Sequence, residues 1–156
     1  MQIDWGSAVV AGLVATAVMT ALMYMGKAMG MRMDMPRMLG LMFTGPDSTG
    51  VVYALGLIAH FMMGVLFAII YAALFSLLGI EASWLWGAVF GAVHGVMAGM
   101  AFRMMPAMHP RMGPGEVLAA PGPFGANYGS MIPVGVMMLH IIFDAVVGWL
   151  YALPGA

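Results

Sequence analysis

The stretch that decides the fold is 51-VVYALGLIAHFMMGVLFAIIYAALFSLLGI-80, thirty residues with His60 as its only ionisable group apart from tyrosines. A bilayer core about 30 Å thick takes roughly 20 mostly apolar residues in a helix, so this run can cross it. Three more stretches have the same character. Trp5–Gly26 carries no formal charge, Ala82–Phe102 contains only His94, and Met131–Leu153 contains His140 and Asp144. The 156 residues are 63% hydrophobic and 7% charged, with a mean hydropathy of +1.01. A soluble domain carries roughly 25% charged residues, so this chain could not cover a water-facing surface. In lipid every backbone polar group must be satisfied internally, and no barrel-like alternation of polar residues is present. The sequence therefore predicts an all-α, integral membrane four-helix bundle, a single transmembrane domain over 1–156. Its spans are expected near 5–26, 51–79, 83–104 and 131–153.

The segment before Trp5 has no basic residue and the apolar run is too long for a secretory signal, so the first span is read as a retained helix. With no Cys there are no disulfides, thiolate metal sites or haem thioether links. The net charge of −1 gives no basic surface for nucleic acid. Lys27, Arg32, Arg37, Arg103 and Arg111 all fall between spans 1 and 2 or spans 3 and 4. The positive-inside rule then places both of those loops in the cytoplasm and both termini outside, as in a multi-pass protein of a bacterial inner membrane. Trp5, Trp84 and Trp86 begin spans 1 and 3, where an aromatic belt would put them.

A shift of 79 residues aligns Trp5 with Trp84, Met25 with Met104, Met29 with Met108, Arg32 with Arg111 and Met33 with Met112. A shift of 80 aligns His60 with His140 and Tyr71 with Tyr151. These matches predict two tandem helical hairpins, 1–80 and 81–156, as a parallel repeat about an axis along the membrane normal. Gly87, Gly91, Gly95 and Gly99 recur every four residues, and Ala8, Gly12, Thr16 and Thr20 form the equivalent row. Small residues at that spacing let helix backbones approach closely in lipid. Residues 43–50 read as a short turn with Asp47 or Ser48 capping span 2. Residues 106–130, rich in Pro and Gly, read as an irregular cytoplasmic segment, a candidate lid.

Methionine is unevenly placed. Residues 26–42, "GKAMGMRMDMPRMLGLM", hold six methionines beside Lys27, Arg32 and Arg37. Nine methionines fall in 19–42 and six in 97–112, at repeat-equivalent places. Met25, Met29 and Met33 are spaced i, i+4, i+8, as are Met104, Met108 and Met112, so each set forms one stripe if the helices run that far. Thioethers are soft ligands that select Cu(I), and they bind it without losing a proton. The segments "MGMRMDMPRM" and "MMPAMHPRM" resemble the Met-rich segments of bacterial copper-handling proteins, which implies Cu(I) binding. The layout as a whole resembles small four-helix bacterial membrane proteins. Methionine is also a flexible core filler and a good helix former, and packing alone is the competing reading. Neighbouring arginines oppose a cation site by like charge.

Ionisable groups inside spans mark function by default. His60 lies nine residues beyond Val51, roughly 13 Å into its helix at ~1.5 Å per residue, and His140 lies at similar depth. His94 is mid-span in the glycine row. Three histidines at one level could hold a metal, with Met62, Met63, Met97 or Met137 as soft partners. His60 and His140 could instead hold a b-type haem, or each imidazole could simply bond a carbonyl or Thr across a helix interface. Asp144, one turn after His140, could orient it or relay protons. No hydrolytic triad, HExxH, phosphate loop or dinucleotide fingerprint occurs, and no catalytic residue is assigned. The leading expectation is a non-enzymatic membrane protein that binds or passes Cu(I). The first alternative is a helical subunit of a respiratory or photosynthetic complex, with other subunits or a second copy as partners. The second is a small transporter coupled through Asp144.

Overall fold

A computed structural model describes residues 3–153. Among these the secondary structure is helical, and one isolated bridge joins Met112 to Leu118. Helix α1 (Trp5–Ala28) starts at Asp4, whose carboxylate accepts from the Ser7 amide at 3.0 Å and the Ser7 hydroxyl at 2.9 Å. It stops before Gly30, whose φ of +97° no helix can use. Helix α2 (Met35–Gly40) is a short piece capped by Asp34, with Pro36 in its first turn. Helix α3 (Thr49–Leu78) ends on Gly79 in the left-handed region. Helix α4 (Trp84–Ala101) is capped by Ser83, and α5 (Met105–Met108) is a single turn. Pro123–Tyr128 forms 3-10 turns around a kink before helix α6 (Ile132–Tyr151).

Four of these helices, α1, α3, α4 and α6, are long and apolar enough to cross a membrane. Their observed bounds lie within three residues of the expected spans, and the first helix starts at Trp5 as expected. Thirty residues of α3 span about 45 Å at ~1.5 Å per residue, which exceeds a bilayer core. Its first turns carry α2: a Cβ on Gly40 would overlap the Val52 carbonyl, and one on Gly56 the Pro36 carbonyl. Bare glycine on each side therefore seats the short helix against the long one.

In the bundle α1 packs on α3, α4 on α6, and α1 on α6. Aromatic rings close the fourth side, with Phe90 of α4 at 5.8 Å from Tyr71 and 5.2 Å from Phe75 of α3. The size pattern is inverted relative to a soluble bundle. The buried positions of α4 are Gly87, Gly91, Gly95 and Gly99, while Val89, Val93 and Met97 face outward. On α1, Ala8, Ala11, Gly12 and Ala15 are buried, and Val10, Leu13 and Val14 are exposed. Small residues inside and large apolar residues outside are the pattern of helices that associate in lipid, where close approach rather than solvent exclusion drives association.

The same small residues set the helix spacing. A Cβ on Gly12 would stand 2.8 Å from the Val65 Cα, and one on Gly91 2.6 Å from the Ile141 Cα. Such distances leave no room for any side chain, so both crossings depend on glycine.

Candidate functional site

Close packing at these crossings brings polar side chains from all four long helices to one level. Thr16 and Met19 of α1, His60 and Met63 of α3, His94 of α4 and His140 of α6 line one recess of about 50 Å³, walled by Phe67 and Phe143. Thr16 is fully buried and donates to the Gly12 carbonyl at 2.6 Å. A Cβ on Gly64 would overlap the Thr16 hydroxyl, so glycine at 64 is what admits it. The three histidines of the long helices expected to converge do share a surface, and Met63, itself 43% exposed, is with them. Met62 and Met97 are exposed, and the Met137 thioether lies against Gly95.

The imidazoles are held in defined ways. His140 Nδ1 stands 2.7 Å from the Val136 carbonyl oxygen. A carbonyl only accepts, so Nδ1 carries the proton and Nε2 of the neutral ring keeps its lone pair. His94 Nδ1 lies 3.2 Å from Asp144 Oδ2. With the carboxylate ionised, this is the carboxylate–histidine arrangement that fixes a metal-ligating imidazole with Nε2 free. The His94 and His140 rings meet edge to face, with centroids 4.6 Å apart. His94 also lies 4.1 Å from the Phe67 ring. Two buried polar atoms here have no partner among the described residues, His60 Nε2 and Asp144 Oδ1.

Asp144 departs from expectation. Its i, i+4 spacing predicts that it orients His140, but it bonds His94 on the neighbouring helix, and the Val136 carbonyl takes His140. The cause is the glycine row: Gly91 brings α4 within contact of the Ile141 backbone and the Asp144 side chain, so the carboxylate meets α4 first.

The methionine stripes are also corrected. Helix α1 ends at Ala28, and the chain turns at Gly30, so Met25, Met29 and Met33 do not share a helical face. Met25 and Met29 are exposed, whereas Met33 packs against the buried cluster of Met38 and Met112. Helix α4 ends at Ala101, Pro106 lies in the first turn of α5 and Pro110 just beyond it, and this break separates exposed Met104 and Met108 from buried Met112. His109 is buried with both nitrogens engaged, Nε2 to the Met38 carbonyl at 2.8 Å and Nδ1 to the Arg111 amide at 3.2 Å. It pins the 113–131 segment's base to α2 and is not free to bind an ion.

A polar junction closes the same end of the bundle. Asp34 accepts from Lys27, from the Tyr53 hydroxyl at 2.6 Å and from the Arg37 amide at 3.2 Å. Burial pushes its carboxyl up, but these donors together outweigh that and hold it below the usual carboxylate value.

Comparison with protein families, curated proteins and solved structures finds no significant match to this chain. The chemistry must be read from the recess itself.

No three His, Asp or Glu side chains among the described residues are spaced to chelate one ion. A cation at this recess would therefore need thioether sulfur as well as imidazole nitrogen. A recess of about 50 Å³ suits one ion or water, since a water's share of liquid volume is about 30 Å³. A porphyrin between His60 and His140 would require the helices to part.

Proposed function

We propose that the protein is an integral membrane protein that binds Cu(I) within its four-helix bundle, at the recess between His60, His94 and His140. The observation that carries this reading is the combination of donors lining that recess. Imidazoles whose Nδ1 atoms are engaged by Asp144 and the Val136 carbonyl stand with the thioethers of Met19 and Met63. Soft sulfur with neutral imidazole favours Cu(I) over hard divalent ions. With Asp144 ionised, charge supports a monovalent ion: one positive charge beside the carboxylate leaves the site neutral, and a buried unpaired charge is costly. A ligand nitrogen with no partner among the described residues, His60 Nε2, is the group that an ion would satisfy.

In this reading the exposed Met25, Met104 and Met108 at the cytoplasmic helix ends capture the ion. The positive-inside rule puts both of those loops in the cytoplasm and both termini outside. The α1–α3 and α4–α6 pairs are the two copies of a duplicated hairpin. His60 and His140, equivalent in that repeat, then face one site from opposite pairs.

The test is a titration of the detergent-purified protein with Cu(I) against a competing chelator. Met63→Leu and Met19→Leu keep volume and apolarity and remove the sulfur lone pair. Each is expected to weaken Cu(I) binding at least tenfold, and His109→Gln to leave it unchanged. Affinity unaltered in both Leu variants would refute the site.

A further inference from the structure

A second cavity, of about 640 Å³, lies between the α1–α2 linker and the start of α6. Its polar wall carries Arg32, Asn127 and Ser130, and its apolar wall carries Met31, Met131 and Val134. Arg32 is exposed and forms no salt bridge among the described residues. The neighbouring carboxylate, Asp34, is already taken by Lys27, Tyr53 and the Arg37 amide. The Ser130 hydroxyl is likewise uncommitted, while the Asn127 amide nitrogen donates to the Ala120 carbonyl at 3.0 Å. A smaller cleft continues past Arg32 to Arg37 and Tyr128. One wall thus offers the Arg32 charge and the Ser130 hydroxyl, neither with a partner among the described residues. The other offers flexible thioether surface at the level where two long apolar helices end.

We propose that this cavity holds an anionic phospholipid, with its phosphate on Arg32 and Ser130 and the first part of an acyl chain along Met31, Met131 and Val134. Charge complementarity selects the anionic headgroup. A basic pocket between helix ends on the cytoplasmic side matches the leaflet where anionic lipids attract juxtamembrane cations. Unbranched methionine adapts to a mobile chain. The assignment gives part of the methionine-rich stretch at 26–42 a role independent of copper. The kink before α6 shapes the polar wall: Phe124 at φ 53° and Gly125 at φ +73° turn the chain so that Asn127 and Ser130 face the linker.

The experiment is native mass spectrometry of the full chain in mild detergent, with dioleoylphosphatidylglycerol, dioleoylphosphatidylcholine or soluble glycerol 3-phosphate added. The glycerol lipid is expected to be retained over the choline lipid, and glycerol 3-phosphate not to be retained. Arg32→Gln should weaken phosphatidylglycerol binding about fivefold, the value of one cation near the surface. Val134→Trp, at an exposed position, should fill the apolar wall and weaken it by a similar factor with an unchanged thermal melt. Arg103→Gln, on the exposed turn outside the cavity, should change nothing. Equal retention of both lipids, an Arg103→Gln effect equal to that of Arg32→Gln, or retention of glycerol 3-phosphate as tight as that of the lipid would each overturn the proposal.

Discussion

Replacing Gly91 by Ala should destabilise the protein and replacing Gly95 by Ala should not, although the two glycines are one helical turn apart on the same buried row. At Gly91 a new Cβ would meet backbone, 2.6 Å from the Ile141 Cα and 2.7 Å from the His140 carbonyl oxygen. Backbone cannot step aside, so α4 and α6 must separate. Overpacking of this kind costs about 1–3 kcal/mol. The helix-propensity gain of Ala over Gly is at most ~1 kcal/mol. With that gain realised in full, the net expectation is a loss of up to about 2 kcal/mol. At Gly95 the nearest atoms are the Met137 sulfur at 3.1 Å and its methyl at 3.3 Å. This flexible end can rotate away, so the propensity gain survives and the variant should be neutral or more stable by up to ~1 kcal/mol. The assay is reversible unfolding in mixed detergent micelles, followed by helical circular dichroism. The Cu(I)-free protein is used, so that ligand linkage does not enter. Equal effects of the two substitutions, or a stabilising Gly91→Ala, would refute the close crossing on which the positions of His94 and Asp144 depend.

Other outcomes follow from the end of the bundle that carries Asp34 and His109. The Asp34 carboxyl is lowered in the folded protein from its ordinary 3.8. Its stabilisation is therefore complete above that value and is lost as pH falls through the lower folded value. Thermal melts should show wild type losing stability below about pH 4, and Asp34→Asn, already weaker at pH 7, should show a flatter profile. His109→Ala leaves the buried Met38 carbonyl without its donor. It should cost about 1–3 kcal/mol and speed proteolysis within 113–131, as read by peptide mapping. Replacing Met25, Met104 and Met108 together by Leu should slow Cu(I) transfer from a donor complex while leaving the equilibrium affinity unchanged. A fall in affinity would move the site to the helix ends.

The long helices were legible because an uninterrupted apolar run such as 51–80 has few alternative fates. The glycine row was legible because a period of four in α4 marks a contact face. The convergence of His60, His94 and His140 followed from their similar depths along those helices. Helix α2 was obscured by reading the methionines at 25, 29 and 33 as one stripe. Its signals were present, with Gly30 to stop α1, Asp34 to cap and Pro36 in the first turn. The partner of Asp144 was not legible, because periodicity relates residues along one helix, whereas the choice between His140 and His94 depends on the α4–α6 distance. Thr16 and Met19 joined the recess for the same reason. Their neighbours lie on α3, α4 and α6, and one methionine among 21 carries no local mark of facing inward.

The most direct measurement on the central claim is X-ray absorption at the copper edge of the Cu(I)-loaded, detergent-purified protein. Binding at the intramembrane recess predicts a mixed shell of nitrogen and sulfur scatterers, with imidazole multiple scattering, and loss of the sulfur component in the Met19→Leu, Met63→Leu double variant. A shell of sulfur alone that survives that double substitution would place the ion on the surface methionines and contradict the account.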